Sequence, residues 1–377
     1  MKSEHRQLMD AIAEGRVQRG PDTLHLDITN GCNTNCITCW DHSPLLFRPK
    51  PVAWKRQRAE AADVEALLDD ALTLGGVRAV ILSGMGEPFT HPDIYRLIAA
   101  VKSRGLHLTI ITNLIPADAG RVVELGVDQL LIGVHAASEG PYRAFHPSFR
   151  GDEWQRLLSM LGRFQQAGRR FKQVQVISRV NAHEVVQMVR LGHRFGAQTV
   201  SFKLASLARG TEQTLITEEQ RALLMTGLVP EAASVAKELG VTTNLDVFAR
   251  QLGAGGVATA PIEEIGCFMG HVYSRVLVDG TVLYCCSTEV VVGTLAHGAR
   301  FSDLWRGPAW EALRARLRRG DYFASCRQCG KLEQNVRIGE QLEAARGREA
   351  VLAATGRGGA QQLTAPPRRS LPVLPGR

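Results

Sequence analysis

Three of the eight cysteines in this 377-residue chain crowd into one short stretch as Cys32, Cys36 and Cys39, a C-x3-C-x2-C spacing. Thiolates this close suit a shared metal centre. A cubane cluster has four irons and ordinarily takes four cysteines, so three thiolates leave one iron open to bind something else. An open metal position belongs to a reactive centre rather than a structural one. The rival for such a loop is a zinc knuckle. A second set lies far downstream: Cys267, the adjacent Cys285 and Cys286, and the Cys326-x2-Cys329 pair. Two close cysteines plus two distant ones can complete a four-thiolate site, for a second cluster or for zinc. Zinc ribbons usually show two close pairs, and this set shows one.

Other residues that could do chemistry stand at the ends of expected strands. Ser83-Gly84-Met85-Gly86-Glu87-Pro88 closes one of them; its glycines let backbone approach a ligand, and the Glu87 carboxylate can accept from an ammonium group. Thr112-Asn113, His135 and Arg179 close three more, while Asn181 is expected to cap the helix that starts near Glu184.

The elements that must carry these residues are legible as periodicity. After an amphipathic N-terminal helix, apolar runs at 23–29, 78–83, 106–112, 129–135, 173–178 and 199–203 read as strands. Stretches 60–74, 93–103, 153–167 and 184–195 show helical spacing. Gly75, Gly105, Gly168 and Gly196 fall where left-handed helix ends are expected. Strand-helix repeats imply parallel strands, in a barrel-like or an open doubly wound sheet, with chemistry at their C-terminal ends. A helical segment at 217–239 leads to a glycine-rich stretch, 253–256, read as a linker. Residues 273–284 form two strands around an Asp-Gly turn.

Composition narrows the class. A hydrophobic content of 45% supports a large core. No run approaches the roughly 20 apolar residues of a membrane span, and the start lacks a secretory signal. The chain is therefore expected in the cytoplasm, where thiols stay reduced and more often bind metal than form disulfides. Of the formal charge of +8, the last 37 residues contribute six Arg against two Glu. With APPRR and LPVLPGR in the same stretch, residues 341–377 read as a basic, disordered tail. No nucleic-acid partner is called for.

The cysteine loop followed by Gly84-Met85-Gly86-Glu87-Pro88, in that order over residues 22–202, resembles the radical S-adenosylmethionine (AdoMet) superfamily. The resemblance implies a partial (β/α)6 TIM-like barrel within an α/β fold, and a 4Fe-4S cluster whose open iron chelates AdoMet. It further implies reductive cleavage to a 5'-deoxyadenosyl radical that removes hydrogen from substrate. It places Gly84, Met85, Gly86, Glu87, Asn113, His135 and Arg179 around AdoMet. The family usually has an aromatic residue before the third cysteine, where this chain has Thr38, with Trp40 following. Residues 267–329, with Gly280 to Cys286, Leu304-Trp305 and Cys326-Arg327-Gln328-Cys329, resemble the twitch domain, a reduced SPASM domain. That implies a smaller C-terminal α+β domain with one auxiliary 4Fe-4S cluster on Cys267, Cys285, Cys326 and Cys329. Cys286 is then a spare thiol, either a small buried hydrophobe or a hydrogen-atom donor. The expected division is 1–22 lead-in, 23–240 core, 241–340 auxiliary domain and 341–377 tail.

A four-thiolate cluster has no open iron, so it suits electron transfer, and the expected reaction is two-electron dehydrogenation of a polar small molecule. Twitch enzymes resembling this chain point to a sugar or aminocyclitol. Candidate bases are Asp41, His42, His135 and Lys203. A flavodoxin or ferredoxin is the expected electron donor. The alternatives are a peptide-modifying maturase, a radical epimerase and an iron-sulfur electron carrier.

Overall fold

The computed structural model describes residues 2–256 and 258–356. Six strands follow in chain order, β1 (Thr23–Asp27), β2 (Ala79–Ser83), β3 (His107–Thr112), β4 (Gln129–Gly133), β5 (Lys172–Ile177) and β6 (Thr199–Leu204). Each pairs in parallel with the next. The sheet therefore winds one way, with no reversal of strand order, which selects the barrel-like alternative over the doubly wound one. Four later strands extend it: β7 (Thr242–Thr243), β8 (Tyr273–Val276), β9 (Thr281–Leu283) and β10 (Val291–Thr294). The full order is β10-β9-β8-β1-β2-β3-β4-β5-β6-β7, a partial barrel left open between β7 and β10.

Strand alternation decides which residues meet the helices and which meet the lumen. Leu24, Leu26, Val80, Leu82, Leu108, Ile110, Leu130 and Ile132 are buried with Leu68, Leu97, Ile98 and Val101 of the covering helices. On β6, Val200, Phe202 and Leu204 join the helix-side core. Their neighbours Thr199, Ser201 and Lys203 face the other way. Ile111, on β3 in the middle of the sheet, is 39% exposed, because the lumen face it occupies is open. The four glycines expected at helix ends all have φ between +64° and +69°.

The expected boundary at 240/241 does not divide the molecule. β7 pairs with β6, and Leu245, Phe248 and Leu252 pack in the core that holds Val200 and Phe202. The first unit thus runs through the helix Leu245–Ala254. That helix also takes in Gly253, part of the expected linker, because burial of Leu252 outweighs the weak helix propensity of one glycine. Nor is the C-terminal part a separate sheet, since β8 pairs in parallel with β1, Thr23 opposite Tyr273. The tail also begins later than expected. Helices Leu332–Arg346 and Arg348–Ala354 continue past residue 340 and bury Leu342, Val351 and Ala354; residues 357–377 lie outside the described residues. Among the described residues, no helix is long and apolar enough to cross a membrane.

Behind the hairpin, Phe301, Trp305 and Trp310 form a buried aromatic block. The buried Arg314 guanidinium lies 4.7 Å from the Trp305 ring and donates to the Gly270 carbonyl at 2.8 Å. This block fixes β8 and β9 against the barrel.

Candidate functional site

The cysteine loop leaves β1 at the C-terminal edge of the sheet and is gripped from two sides. On one side lies the turn after β2. A Cβ on Gly84 would sit 2.1 Å from the Thr29 carbonyl oxygen, and one on Gly86 would sit 1.9 Å from that of Gly31. Only glycine fits at either position. The contact is fastened by Gly86 N to Thr29 O at 3.2 Å and Glu87 N to Gly31 O at 2.8 Å. These glycines thus let backbone approach the cysteine loop, where the sequence suggested approach to a ligand. On the other side, Ile37 N donates to Phe145 O at 3.0 Å and Ser148 N to Asn35 Oδ1 at 2.8 Å, flanking Cys36.

Glu87 is buried and accepts three hydrogen bonds: from Thr112 Oγ1 at 2.6 Å, Asn113 N at 2.6 Å and Phe89 N at 3.1 Å. Burial pushes its carboxyl up to about 7 against those bonds. Asn113 donates its side-chain amide to Asn33 Oδ1 at 2.8 Å. Glu87 and Asn113 therefore lock the end of β3 to the cysteine loop. His135, with φ of +60°, accepts at Nδ1 from Val176 N at 3.1 Å and lies against Phe145 and His146. Burial holds it well below the usual histidine range. Met85 receives a contact from Arg275 Nη2 at 3.6 Å. Arg179 is exposed beyond β5, with its backbone tied to Thr214 and Gln220. Asn181 does not cap the helix after it. Fully buried, it accepts from Ser178 N and donates to the carbonyls of His135 at 2.8 Å and Val176 at 2.9 Å, stapling the ends of β4 and β5.

Among the proposed bases, Asp41 faces Lys50 at 3.6 Å and His42 is buried against Trp54. Lys203 points into the lumen. A larger polar set there escaped the sequence reading. His25 Nδ1 lies 2.6 Å from the Tyr273 hydroxyl, and its Nε2 contacts Ser83 Oγ. Asp27 pairs with Arg275 at 2.7 Å. The Lys331 ammonium sits 4.0 Å from the centre of the Tyr273 ring. Burial, then the charges of Arg275 and Lys331, hold His25 well below its ordinary range, so it is neutral. The visible signal was the alternation Thr23, His25, Asp27 in β1, which sets polar groups on one face.

The three loop cysteines are half-buried. Burial pushes the Cys32 thiol up to about 12, and burial, then Cys39 and Cys32, push Cys36 well up. Metal binding replaces such protons. Backbone N–H groups of Asp41 and His42 already aim at Cys39 Sγ, at 3.5 and 3.3 Å, the kind of bond that tunes a cluster sulfur. In the second set, Cys267 is raised by burial, then by Cys329, Cys326 and Cys286, so these thiols share one neighbourhood. Ser287 N lies 3.4 Å from Cys285 Sγ. Cys285 and Cys286 are hydrogen-bonded to each other, which holds Cys286 down and Cys285 up. Among the described residues no three His, Cys, Asp or Glu side chains converge as ligands of a single ion. In a cluster each thiolate takes its own iron, so the thiolates need not converge on one point, and an all-thiolate donor set fits iron-sulfur chemistry. Ser206, in the loop after β6, joins the two cysteine regions. Its carbonyl accepts from the Trp40 indole at 2.5 Å, and its hydroxyl lies 3.3 Å from Gln328 Oε1.

Comparison with known proteins agrees with this layout. The radical SAM superfamily profile matches residues 26–192, and that of an iron-sulfur cluster-binding domain, SPASM, matches 267–330. An AdoMet-dependent heme synthase of Nitratidesulfovibrio vulgaris is 24% identical over 331 residues, 80% of this chain and 83% of the relative. A PqqA peptide cyclase of Xanthomonas campestris pv. campestris is 23% identical over 310 residues, 77% of each. The fold is shared with SuiB of Streptococcus suis, solved with S-adenosylmethionine: TM-score 0.62 at 16% identity, over 88% of this chain and 75% of that one. The chain carries a radical SAM domain over residues 26–192 and, at its C-terminus, a SPASM iron-sulfur cluster-binding domain over 267–330.

Proposed function

We propose that this chain is a radical AdoMet oxidoreductase that dehydrogenates a polar small molecule, of sugar or aminocyclitol type, held in the barrel lumen. The observation that supports the reading is the Ser206 bridge, whose carbonyl accepts from Trp40 next to Cys39 and whose hydroxyl donates to Gln328 next to Cys329, so that both cysteine regions meet the loop after β6. Cys32, Cys36 and Cys39 hold a 4Fe-4S cluster beside AdoMet; Cys267, Cys285, Cys326 and Cys329 hold the auxiliary one. When bound, these groups supply hydrogen-atom abstraction from substrate and an acceptor for the second electron. The residues of the chain do the rest. Glu87 and Asn113 keep the cysteine loop in register with β3. His25 is hydrogen-bonded to Tyr273 and Ser83, and burial with the charges of Arg275 and Lys331 disfavours its protonation, so the set offers hydrogen bonds that orient a substrate hydroxyl rather than a strong base. A low-potential donor of flavodoxin or ferredoxin type supplies the initiating electron from outside.

Similarity to a heme synthase over four-fifths of the chain supports a small-molecule substrate. Similarity to PqqA peptide cyclase and to SuiB, also solved with its precursor peptide SuiA (TM-score 0.60), supports a peptide as the second reading. The test is anaerobic reconstitution followed by iron analysis and assay of 5'-deoxyadenosine. About eight irons per chain are expected from two clusters, and Cys32→Ala should abolish AdoMet cleavage. Undiminished cleavage in that variant sinks the reading. Stimulation by a peptide and by no sugar or aminocyclitol moves the substrate to the second reading.

A further inference from the structure

Between Phe47 and Arg58 the chain carries five cations, Arg48, Lys50, Lys55, Arg56 and Arg58, and no acid. Lys50 meets Asp41 at 3.6 Å, while the other four make no ion pair among the described residues. Arg48, Arg56 and Arg58 are exposed, and so are two apolar side chains beside them, Phe47 at 79% and Val52 at 64%. Pro49 and Pro51 restrict the backbone of Arg48 and Lys50, which lessens the entropy lost when a partner docks. This run lies against the first cysteine loop. Asn30 donates to Gln57 O at 2.9 Å and to Gln57 Oε1 at 3.0 Å, and Ala59 N donates to Ile28 O at 2.9 Å. The Lys55 carbonyl packs beside Gly31, the residue before Cys32. Trp54 lies on His42, with ring centres 5.9 Å apart, and His42 N is 3.3 Å from Cys39 Sγ. Trp54 and then His42 therefore lead from this cationic surface to a ligand of the first cluster.

We infer that residues 47–58 form the docking surface for the external electron donor, an acidic flavodoxin. Unpaired cations attract an acidic partner from solution and raise the rate of encounter. The exposed Phe47 and Val52 supply apolar contact at the centre of the patch, and they suit a flavin, whose dimethylbenzene edge is apolar, better than an iron-sulfur carrier. Proximity to the cluster favours a redox partner over a nucleic acid, which has no use for it. The step is a transfer of one electron: the reduced flavin loses it and the first cluster gains it, with no bond formed or broken. The inference rests on the need for an outside electron, as proposed above, and it assigns the place where that electron enters.

The test measures binding of an acidic flavodoxin to the cluster-loaded chain by calorimetry, together with the rate at which reduced flavodoxin bleaches the cluster absorbance. Arg48→Glu/Arg56→Glu/Arg58→Glu should weaken binding and slow reduction about tenfold at low salt, and the difference should close at about 1 M salt. Dithionite needs no docking, so its reduction of the cluster should be unchanged. Failure of dithionite to drive AdoMet cleavage in the parent chain counts against the radical reading, and flavodoxin binding still measures the surface. Arg163→Glu/Arg190→Glu/Lys237→Glu changes the net charge equally on the outer helices Glu153–Gln166, Val185–Arg194 and Val229–Leu239 and should bind nearly as the parent does. Where the first triple variant loses iron, Arg48→Gln/Arg56→Gln/Arg58→Gln replaces it; with half the charge change, a loss of about threefold is expected. Equal losses in the patch and control variants, or none in the patch variants, overturn the surface. So does weakened binding of an acidic ferredoxin or a single-stranded RNA with flavodoxin affinity intact, which assigns the cations to that partner.

Discussion

Replacing Glu87 tests whether the cysteine loop is held by a buried carboxylate. Its folded pKa of about 7 lies above the ordinary 4.5, so the folded state binds its proton more tightly than the unfolded state. The sign follows: this group's contribution is most favourable below pH 4.5, falls as pH rises, and levels off above 7. At about 1.36 kcal/mol per pH unit the full fall is about 3 kcal/mol, of which about 2 kcal/mol lies between pH 5.5 and 8. Glu87→Gln removes the ionisation and should remove that part of the pH dependence. Glu87→Ala goes further and strands the N–H groups of Asn113 and Phe89. At about 1–3 kcal/mol for each unpaired buried donor, less the relief of removing a desolvated carboxylate, the net cost is about 2–4 kcal/mol. The assay is anaerobic urea unfolding of the metal-free chain at pH 5.5 and pH 8. An unchanged pH difference in Glu87→Gln, or a Glu87→Ala cost under about 0.5 kcal/mol, would refute the reasoning.

Gly86→Ala places a methyl group against the Gly31 carbonyl, so it should displace the cysteine loop and cut iron uptake by the first site while sparing the second; iron analysis and cluster spectra check this. Asp27→Ala leaves Arg275 buried without its partner and should cost about 3–5 kcal/mol in urea unfolding, with Arg275→Met/Asp27→Leu recovering most of that loss.

Local signals carried much of the reading. Six strands, the glycine helix ends and the Asp279-Gly280 turn each announce themselves within a few residues, and so do both cysteine spacings. What stayed hidden depends on distant partners. Nothing near Glu87 says that its carboxylate will be consumed by Thr112 and Asn113, or near Asn181 that it will staple β4 to β5 instead of capping a helix. The boundary at 240 was misplaced for the same reason, since β7 and the helix after it make sense only against β6. The lumen pairs His25 with Tyr273 and Asp27 with Arg275 across 248 positions. Alternation in β1 shows that polar groups share a face, but only the pairing of β8 with β1 reveals what they meet.

That pairing also sets an order of events during synthesis. β1 is made before the other described strands, yet one of its two neighbours, β8, follows some 248 residues later. At about 5–20 residues per second the interval is roughly 12–50 s, and throughout it β1 is an edge strand with Asp27 lacking its counterion. The cysteine loop hangs from that edge. The turn after β2 and the segment at 145–148 can grip that loop earlier, but β1 gains its second neighbour only when the SPASM segment emerges and docks, so the ribosome delivers one supporting strand of the first metal site together with the domain that carries the second.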